Sequence, residues 1–299
     1  MNKIVVIGSS NTDLVVAAPR MPEPGETIMG RDFMMLAGGK GANQAVAVKR
    51  LGGDVCFIAN VGRDMFGDRT VENYKNEGMD ISTILRDPEA PSGVALITVD
   101  EGGENSIVVA PGANNRLSCK DIDSQRAKIE AAEYLLLQLE IPMETVEYAV
   151  EIAYRAGVKI ILNPAPAAAL SDALLSKLYM ITPNRTESQL LTGLAVHTID
   201  EARKAAIALH ARGVKNVVIT LGSLGALTFD GEKFEHVAAA PVKTVDTTAA
   251  GDTFNGAVCV ALSEGRSLVE AVKFATRAAA ISVTRIGAQV SIPYRKEIE

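Results

Sequence analysis

"KIVVIG", residues 3–8, is a run of isoleucine and valine with no polar interruption, closed by glycine. β-Branched side chains favour extended backbone, and an unbroken apolar run of this length reads as a strand buried on both faces. Runs of the same kind recur as "VCFIANVG" (55–62), "YLLLQLE" (134–140), "KIILNPAP" (159–166), "LYMITPN" (178–184) and "NVVITLGSLG" (216–225). Segments with helical periodicity lie between most of them. "NQAVAVKRLGG" (43–53), "METVEYAVEIAYRAG" (143–157) and "IDEARKAAIALHARG" (199–213) each end in glycine, as a helix terminus does. Alternation of this kind implies βαβ units, and so an α/β fold whose mostly parallel sheet is covered by helices on both faces.

Two segments break the alternation. Residues 14–36 carry Pro, Gly and short mixed strands with no helix. Residues 90–110 read as a hairpin, "VALITVD" and "NSIVVA" joined by a Gly-Gly turn. They predict a small β-sheet standing outside the main layer as a lid. The expected division is therefore an α/β unit from 1–13, 37–89 and 111–299, and a lid from 14–36 and 90–110. Exposed edge strands rich in Val and Ile invite pairing, so the lid is also expected to form the surface of a homodimer.

Composition narrows the partners. The chain has 299 residues, 47% hydrophobic and 22% charged, with a formal net charge of −6. That balance, without a polybasic segment, leaves no footprint for nucleic acid. Three cysteines and three histidines are dispersed, with no C-x-x-C or H-E-x-x-H pattern, which argues against zinc and for reduced thiols in a cytoplasmic protein. The first apolar run is too short for a secretory signal and no stretch suffices to span a bilayer, so no membrane partner is expected.

Open parallel sheets bind ligands beyond the carboxyl ends of their strands. The polar residues expected there are Asn11 and Asp13, Glu140, Asn163, Asn184 and Glu187, and Thr220, Gly222 and Gly225. With the segment 246–257 these make six such groups on one edge, which form a candidate site. "LAGGKGANQAVAVKRLG" (36–52) adds a glycine turn opening into a helix, with Lys40 and Asn43 facing either solvent or a polyol or phosphate. It is neither a Walker A loop nor G-x-G-x-x-G, which disfavours a dinucleotide oxidoreductase. "DTTAAGDTFNGA" (246–257) places Asp252 at or just before a helix start. There it is either an N-cap or a carboxylate aimed at a reacting hydroxyl beside a bound phosphate.

"AGGKGANQAVAVKRLG" together with "DTTAAGDTFNGA" resembles the two sequence patterns of the ribokinase family of carbohydrate and nucleoside kinases. "NTD", "NPAP", "NRTE", "TLGSLG" and "TRIGAQ" follow in the same order, and the resemblance extends over essentially the whole chain. It implies a ribokinase-like three-layer α/β/α fold and ATP-dependent phosphorylation of ribose at O5. By that resemblance Asp252 is the general base, with an anion hole from Ala249, Ala250 and Gly251. Sugar recognition falls to Asn11, Asp13, Gly39, Lys40, Asn43, Glu140 and Asp252. The nucleotide with its Mg²⁺ falls to Asn184, Glu187, Thr220, Gly222, Gly225, Gly251 and Thr276. A K⁺ site falls to Asp246, Thr248, Ser282, Arg285, Gly287 and Ser291. The chain departs from the pattern at Thr276, where the family often has Asn near the adenine, which bears on nucleotide preference. The intact Gly251-Asp252 pair speaks against a purely sugar-binding protein. Deoxyribokinase or fructokinase-like activity is the nearest alternative, and Asn11, Asp13, Lys40 and Asn43 favour a hydroxyl-rich sugar such as ribose.

Overall fold

The computed structural model describes residues 3–298; Met1, Asn2 and Glu299, which the expected α/β unit includes, lie outside the described residues. The strands are β1 (Ile4–Ile7), β2 (Asn11–Ala17), β3 (Phe33–Gly38), β4 (Val55–Gly62), β5 (Ile84–Asp87), β6 (Gly93–Val99) and β7 (Asn105–Ala110) in the first part of the chain. Then follow β8 (Tyr134–Leu137), β9 (Lys159–Leu162), β10 (Met180–Ile181), β11 (Asn216–Thr220), β12 (Ala226–Phe229) and β13 (Phe234–Val237). Among the described residues they form a nine-stranded sheet, ordered β13-β12-β11-β10-β9-β8-β1-β4-β5, and a four-stranded sheet, β3-β2-β6-β7. The large sheet is parallel from β5 across to β11; β12 is reversed, so that the β11–β12 and β12–β13 pairs are antiparallel.

Its apolar runs are divided between two cores by the period-2 alternation of strand side chains. Val5, Ile7, Ile58, Leu135, Leu137, Ile160 and Leu162 enter one core. Ile4, Val6, Phe57, Leu136 and Ile161 enter the other, on the opposite face. Each such side chain contributes about 1.5–3 kcal/mol on leaving water, so neither face of the central strands tolerates a polar residue. The expected helices occur as Lys40–Arg50, Met143–Arg155 and Ile199–Ala211.

On the second core, the helix Ala250–Ser263 packs against both Lys40–Arg50 and Leu268–Ser282. Gly256 sets the first of these contacts. A Cβ there would lie 2.6 Å from Ala47 Cβ and 2.9 Å from the Gln44 carbonyl oxygen. The missing side chain lets the two helices approach closely, and that approach brings their N-terminal turns together.

The second sheet takes in more of the chain than residues 14–36 and 90–110. β2 begins at Asn11, where it pairs with Gly38 of β3 and, in parallel, with Gly93 of β6. Asn11 and Asp13 are poor strand formers by type, so their extended backbone rests on this tertiary pairing. β7 is an edge strand exposed along its whole length.

Candidate active site

β1 lies between β8 and β4, so the order of strands reverses there: β4 and β5 extend one way, β8 to β11 the other. That reversal opens a crevice beyond the carboxyl ends of β1 and β8. The residues leaving those strands, Ser9 to Asp13 and Gln138 to Glu140, line it from one side. Glu140 Oε2 accepts from Ser9 Oγ at 2.5 Å and from the Lys40 backbone N–H at 3.0 Å, pinning the start of the Lys40–Arg50 helix to the sheet edge. Asn11 and Asp13, two apart on β2, are both buried. Asn11 Oδ1 accepts from Asn114 Nδ2 at 2.7 Å.

Asp252 closes the crevice from the Ala250–Ser263 helix. It is the third residue of that helix rather than its cap. The cap is Ala249, whose φ of 59° is the single positive value for a non-glycine residue among the described residues. Such a left-handed residue costs about 1–3 kcal/mol and recurs where backbone N–H groups converge on an anion. The Ala250 N–H donates to the Thr247 carbonyl at 3.2 Å. A Cβ built on Gly251 would meet nothing within 4 Å, so the space in front of this helix terminus is open.

The Asp252 carboxylate accepts from Asn43 Nδ2 at Oδ2 and from Gln44 Nε2 at Oδ1, each at 2.9 Å. Burial raises its pKa, while Lys40, Asn43 and Gln44 hold it down and Glu140 pushes it up. Burial alone would lower the Lys40 pKa; Asp252, Glu140 and Glu187 outweigh it and keep the ammonium charged. Asp13 is pushed up to about 6 by burial first, then by Glu140 and Asp252. One cation thus faces four acids, a balance that suits a neutral ligand rich in hydroxyl donors and repels an anionic one.

A second cleft, of about 780 Å³, adjoins this one along the same sheet edge. Asn184, Thr220, Ala250 and Gly251 are among its lining residues, together with Ala240, Val242, Thr276, Ala279 and Val283. The lining thus combines polar backbone and amide groups with apolar side chains, the two kinds of surface a nucleotide needs. Asn184 and Glu187 form a capping box: Asn184 Oδ1 accepts from the Glu187 N–H, and Glu187 accepts from the Asn184 N–H and Nδ2. Burial raises the Glu187 pKa against the pull of the Asn184 N–H and Lys40, with Asp252 adding to the rise. Gly222 and Gly225 flank the short turn after β11.

Beside the second cleft, the loop 246–248 is tied to the loop after the Leu268–Ser282 helix. Asp246 Oδ2 accepts from the Gly287 N–H at 2.8 Å, and Oδ1 accepts from the Thr248 N–H and hydroxyl. Partial burial works to raise the Asp246 pKa, but these three donors hold it below the usual carboxylate range.

A sequence profile described as "pfkB family carbohydrate kinase" matches residues 1–295. The chain belongs to this family. The kinase is 46% identical to the ribokinase of Haemophilus influenzae, over 98% of this chain and 96% of that one. It is 39% identical to the deoxyribokinase of Salmonella typhi, over 97% and 95% of the two chains. Among solved structures, a ribokinase of Arabidopsis thaliana complexed with ribose and ATP superposes with a TM-score of 0.93 at 34% identity, covering 99% of this chain and 97% of that one.

In the kinase, the fold brings Asn11, Asp13, Gly39, Lys40, Asn43, Glu140 and Asp252 to one crevice. Asn184, Thr220, Gly222, Gly225, Gly251 and Thr276 line the adjoining cleft. Thr276 is buried, and its hydroxyl donates to the Val272 carbonyl at 2.8 Å, one turn back in its own helix. Of the cation-site residues, Asp246 bonds both Thr248 and Gly287, whereas the Arg285 side chain pairs with Glu297. Ser9, Gln44 and Asn114, buried behind the crevice, bond Glu140, Asp252 and Asn11, and Gln138 bonds Gln44; sequence reading passed over all four. Gln44 carried a usable signal: Lys40, Asn43 and Gln44 stand at i, i+3 and i+4, on one helix face.

Proposed function

We propose that this kinase transfers the γ-phosphoryl group of ATP to O5 of D-ribose, giving D-ribose 5-phosphate and ADP. The observation that carries the reading is a buried carboxylate, Asp252, on the first turn of a helix whose N-terminus opens onto unobstructed space. The crevice beside it is rich in hydroxyl acceptors. Relatives of near-equal length named ribokinase support the choice of sugar. In the reaction O5–H gives its proton to Asp252, the O5–Pγ bond forms, and the bond from Pγ to the β-phosphate bridging oxygen breaks. The raised basicity of Asp252 suits a proton acceptor. Ala249, Ala250 and Gly251 supply N–H groups to the transferring phosphoryl, Ala250 giving up its bond to Thr247. Asn11, Asp13, Lys40, Asn43 and Glu140 orient the sugar hydroxyls.

Bound together with ATP, Mg²⁺ would supply charge neutralisation at the phosphates. Asn184 and Glu187 are the residues that would hold it, the buried carboxylate of Glu187 beside the amide oxygen of the exposed Asn184 being an oxygen pair suited to a hard cation. A K⁺ ion suits the paired loops 246–248 and 282–291, whose donors are backbone carbonyls and one carboxylate. There it would stabilise the segment leading into the anion hole. Free thiols at Cys56, Cys119 and Cys259 suit a reducing cytoplasm. The exposed, apolar edge strand β7 supports a homodimer formed through the second sheets of two copies.

The test is ADP release with ribose, 2-deoxyribose and fructose, each with and without K⁺. Ribose should show the highest kcat/KM, rising further with K⁺. A site built to bond the 2-hydroxyl rejects an analogue lacking it by up to about 10⁴-fold. A preference for 2-deoxyribose would move the enzyme to the deoxyribokinase reading, and turnover with none of the three would remove the sugar-kinase reading.

A further inference from the structure

The Asp252 carboxylate is held by another helix. Asn43, which bonds Oδ2, also faces the sugar crevice. Gln44, which bonds Oδ1, is fully buried and does not line the nucleotide cleft. Its amide is fixed at both ends. Gln44 Oε1 accepts from Gln138 Nε2 at 2.6 Å, and Gln44 Nε2 donates also to Asn163 Oδ1 at 3.1 Å. Asn163 in turn donates through Nδ2 to the Thr182 carbonyl at 3.3 Å. An ionised carboxylate only accepts and an amide NH₂ only donates, so this chain of partners permits one orientation of Gln44. Reversed, it would set oxygen against the carboxylate and NH₂ against NH₂.

The rest of the chain supports a dedicated arrangement. The buried Oε1 of Gln138 has no hydrogen-bond partner, a cost of the kind kept where the group serves another purpose. Room for it exists because residue 8 is glycine: a Cβ there would lie 2.0 Å from Gln138 Oε1. The bond that Gln138 does make points at Gln44.

We infer that Gln44 is a positioning residue for the phosphoryl transfer, clamped by Gln138 and Asn163 so that its N–H fixes the direction of the Asp252 carboxylate. The inference rests on Asp252 being the proton acceptor. Gln44 touches neither substrate, and acts through Asp252. The charged groups that also face Asp252 are Lys40 on the helix that carries Gln44, Glu140 beyond β8, Asp13 on β2 and Glu187 on the helix Arg185–Thr192. All of them remain when Gln44 is replaced, so a change in the pH profile reports the lost amide. A hydrogen bond to the charged form stabilises that form; removing it makes Asp252 harder to ionise and moves the acid limb of kcat to higher pH.

The experiment measures ADP release against pH at saturating ribose for Gln44→Met, Gln138→Met and Asp252→Asn. Gln44→Met should lower kcat at neutral pH about tenfold, leave the ribose KM within about threefold, and move the acid limb up by about one pH unit. Gln138→Met leaves Gln44 and Asp252 in place and removes an orphan acceptor. It keeps the test open if the first variant fails to fold, and should shift the limb the same way by less. Acid limbs coinciding with wild type, or kcat and KM changing together in both variants, would overturn the role of Gln44. Wild-type turnover by Asp252→Asn would remove the reading of Asp252 itself; an inactive Asp252→Asn beside an unmoved Gln44→Met profile removes only the role of Gln44.

Discussion

Gly251 occupies the first turn of its helix, and no atom stands within 4 Å of where its Cβ would be. Packing therefore does not require glycine, and the open space is the reason for it. Gly251→Ala should raise stability by about 0.5–1 kcal/mol, the usual gain of alanine over glycine in a helix. The same methyl enters the path of the phosphoryl group and should lower kcat about 10²-fold. Thermal melts and ADP release on one preparation read both effects; undiminished turnover would mean the phosphoryl group does not cross there. Asp13 makes a prediction in pH. Its pKa of about 6 lies above its ordinary value of 3.8, so between those values the folded chain binds this proton more tightly than the unfolded chain does. The contribution of Asp13 to stability is thus largest below that window and is lost as pH rises through it. Sugar binding runs the opposite way, since only the carboxylate accepts from two hydroxyls: the ribose KM should rise as pH falls below about 6. A KM that stays flat from pH 7.5 to 5 would take Asp13 out of the sugar site.

Among the elements, strands were legible where β-branched runs are long and buried, as in β1, β4 and β11. Three runs continue past the observed strand ends. "YLLLQLE", "KIILNPAP" and "LYMITPN" leave the sheet at Gln138, Asn163 and Thr182, where the chain turns its polar groups into the crevice. The step from apolar to polar residue at each of these positions is visible in the sequence, but a single polar residue does not by itself mark a strand end. β12 and β13 are four-residue strands whose identity rests on pairing with β11, and Asn11–Asp13 become a strand only between β3 and β6. The position of Asp252 was read to within a turn; its displacement from the cap follows from the left-handed Ala249, a conformation alanine does not advertise. β7 carries the prediction at this scale. Ile107, Val108 and Val109 are all exposed, Val108 by 64%, so both faces of this edge strand present apolar surface. Val108→Lys should shift the protein from dimer to monomer in size-exclusion chromatography at micromolar concentration, because a desolvated ammonium has no partner there. A wild-type protein already monomeric, or a variant that still dimerises, would remove β7 from the contact.

Across the whole molecule, the reversal of strand order at β1 opens the crevice, and Gly256 lets two helices close upon it. Lys40, Asn43, Gln44 and Asp252 come from segments about 200 residues apart, and they meet because those helices approach closely. The two dense motifs were visible as glycine-rich helix starts; that each carries half of one hydrogen-bonded centre was not, since sequence holds no record of which helices touch. The nucleotide cleft then lies within reach of the same Asp252, so one carboxylate stands between a hydroxyl-rich crevice and an open helix terminus. That placement makes Asp252 the centre of the account, and Asp252→Asn its most direct test, with turnover measured by ADP release and ribose binding by calorimetry. The predicted result is retained ribose affinity with turnover lowered about 10²–10⁴-fold, the range a general base supplies. Turnover equal to wild type would contradict the account.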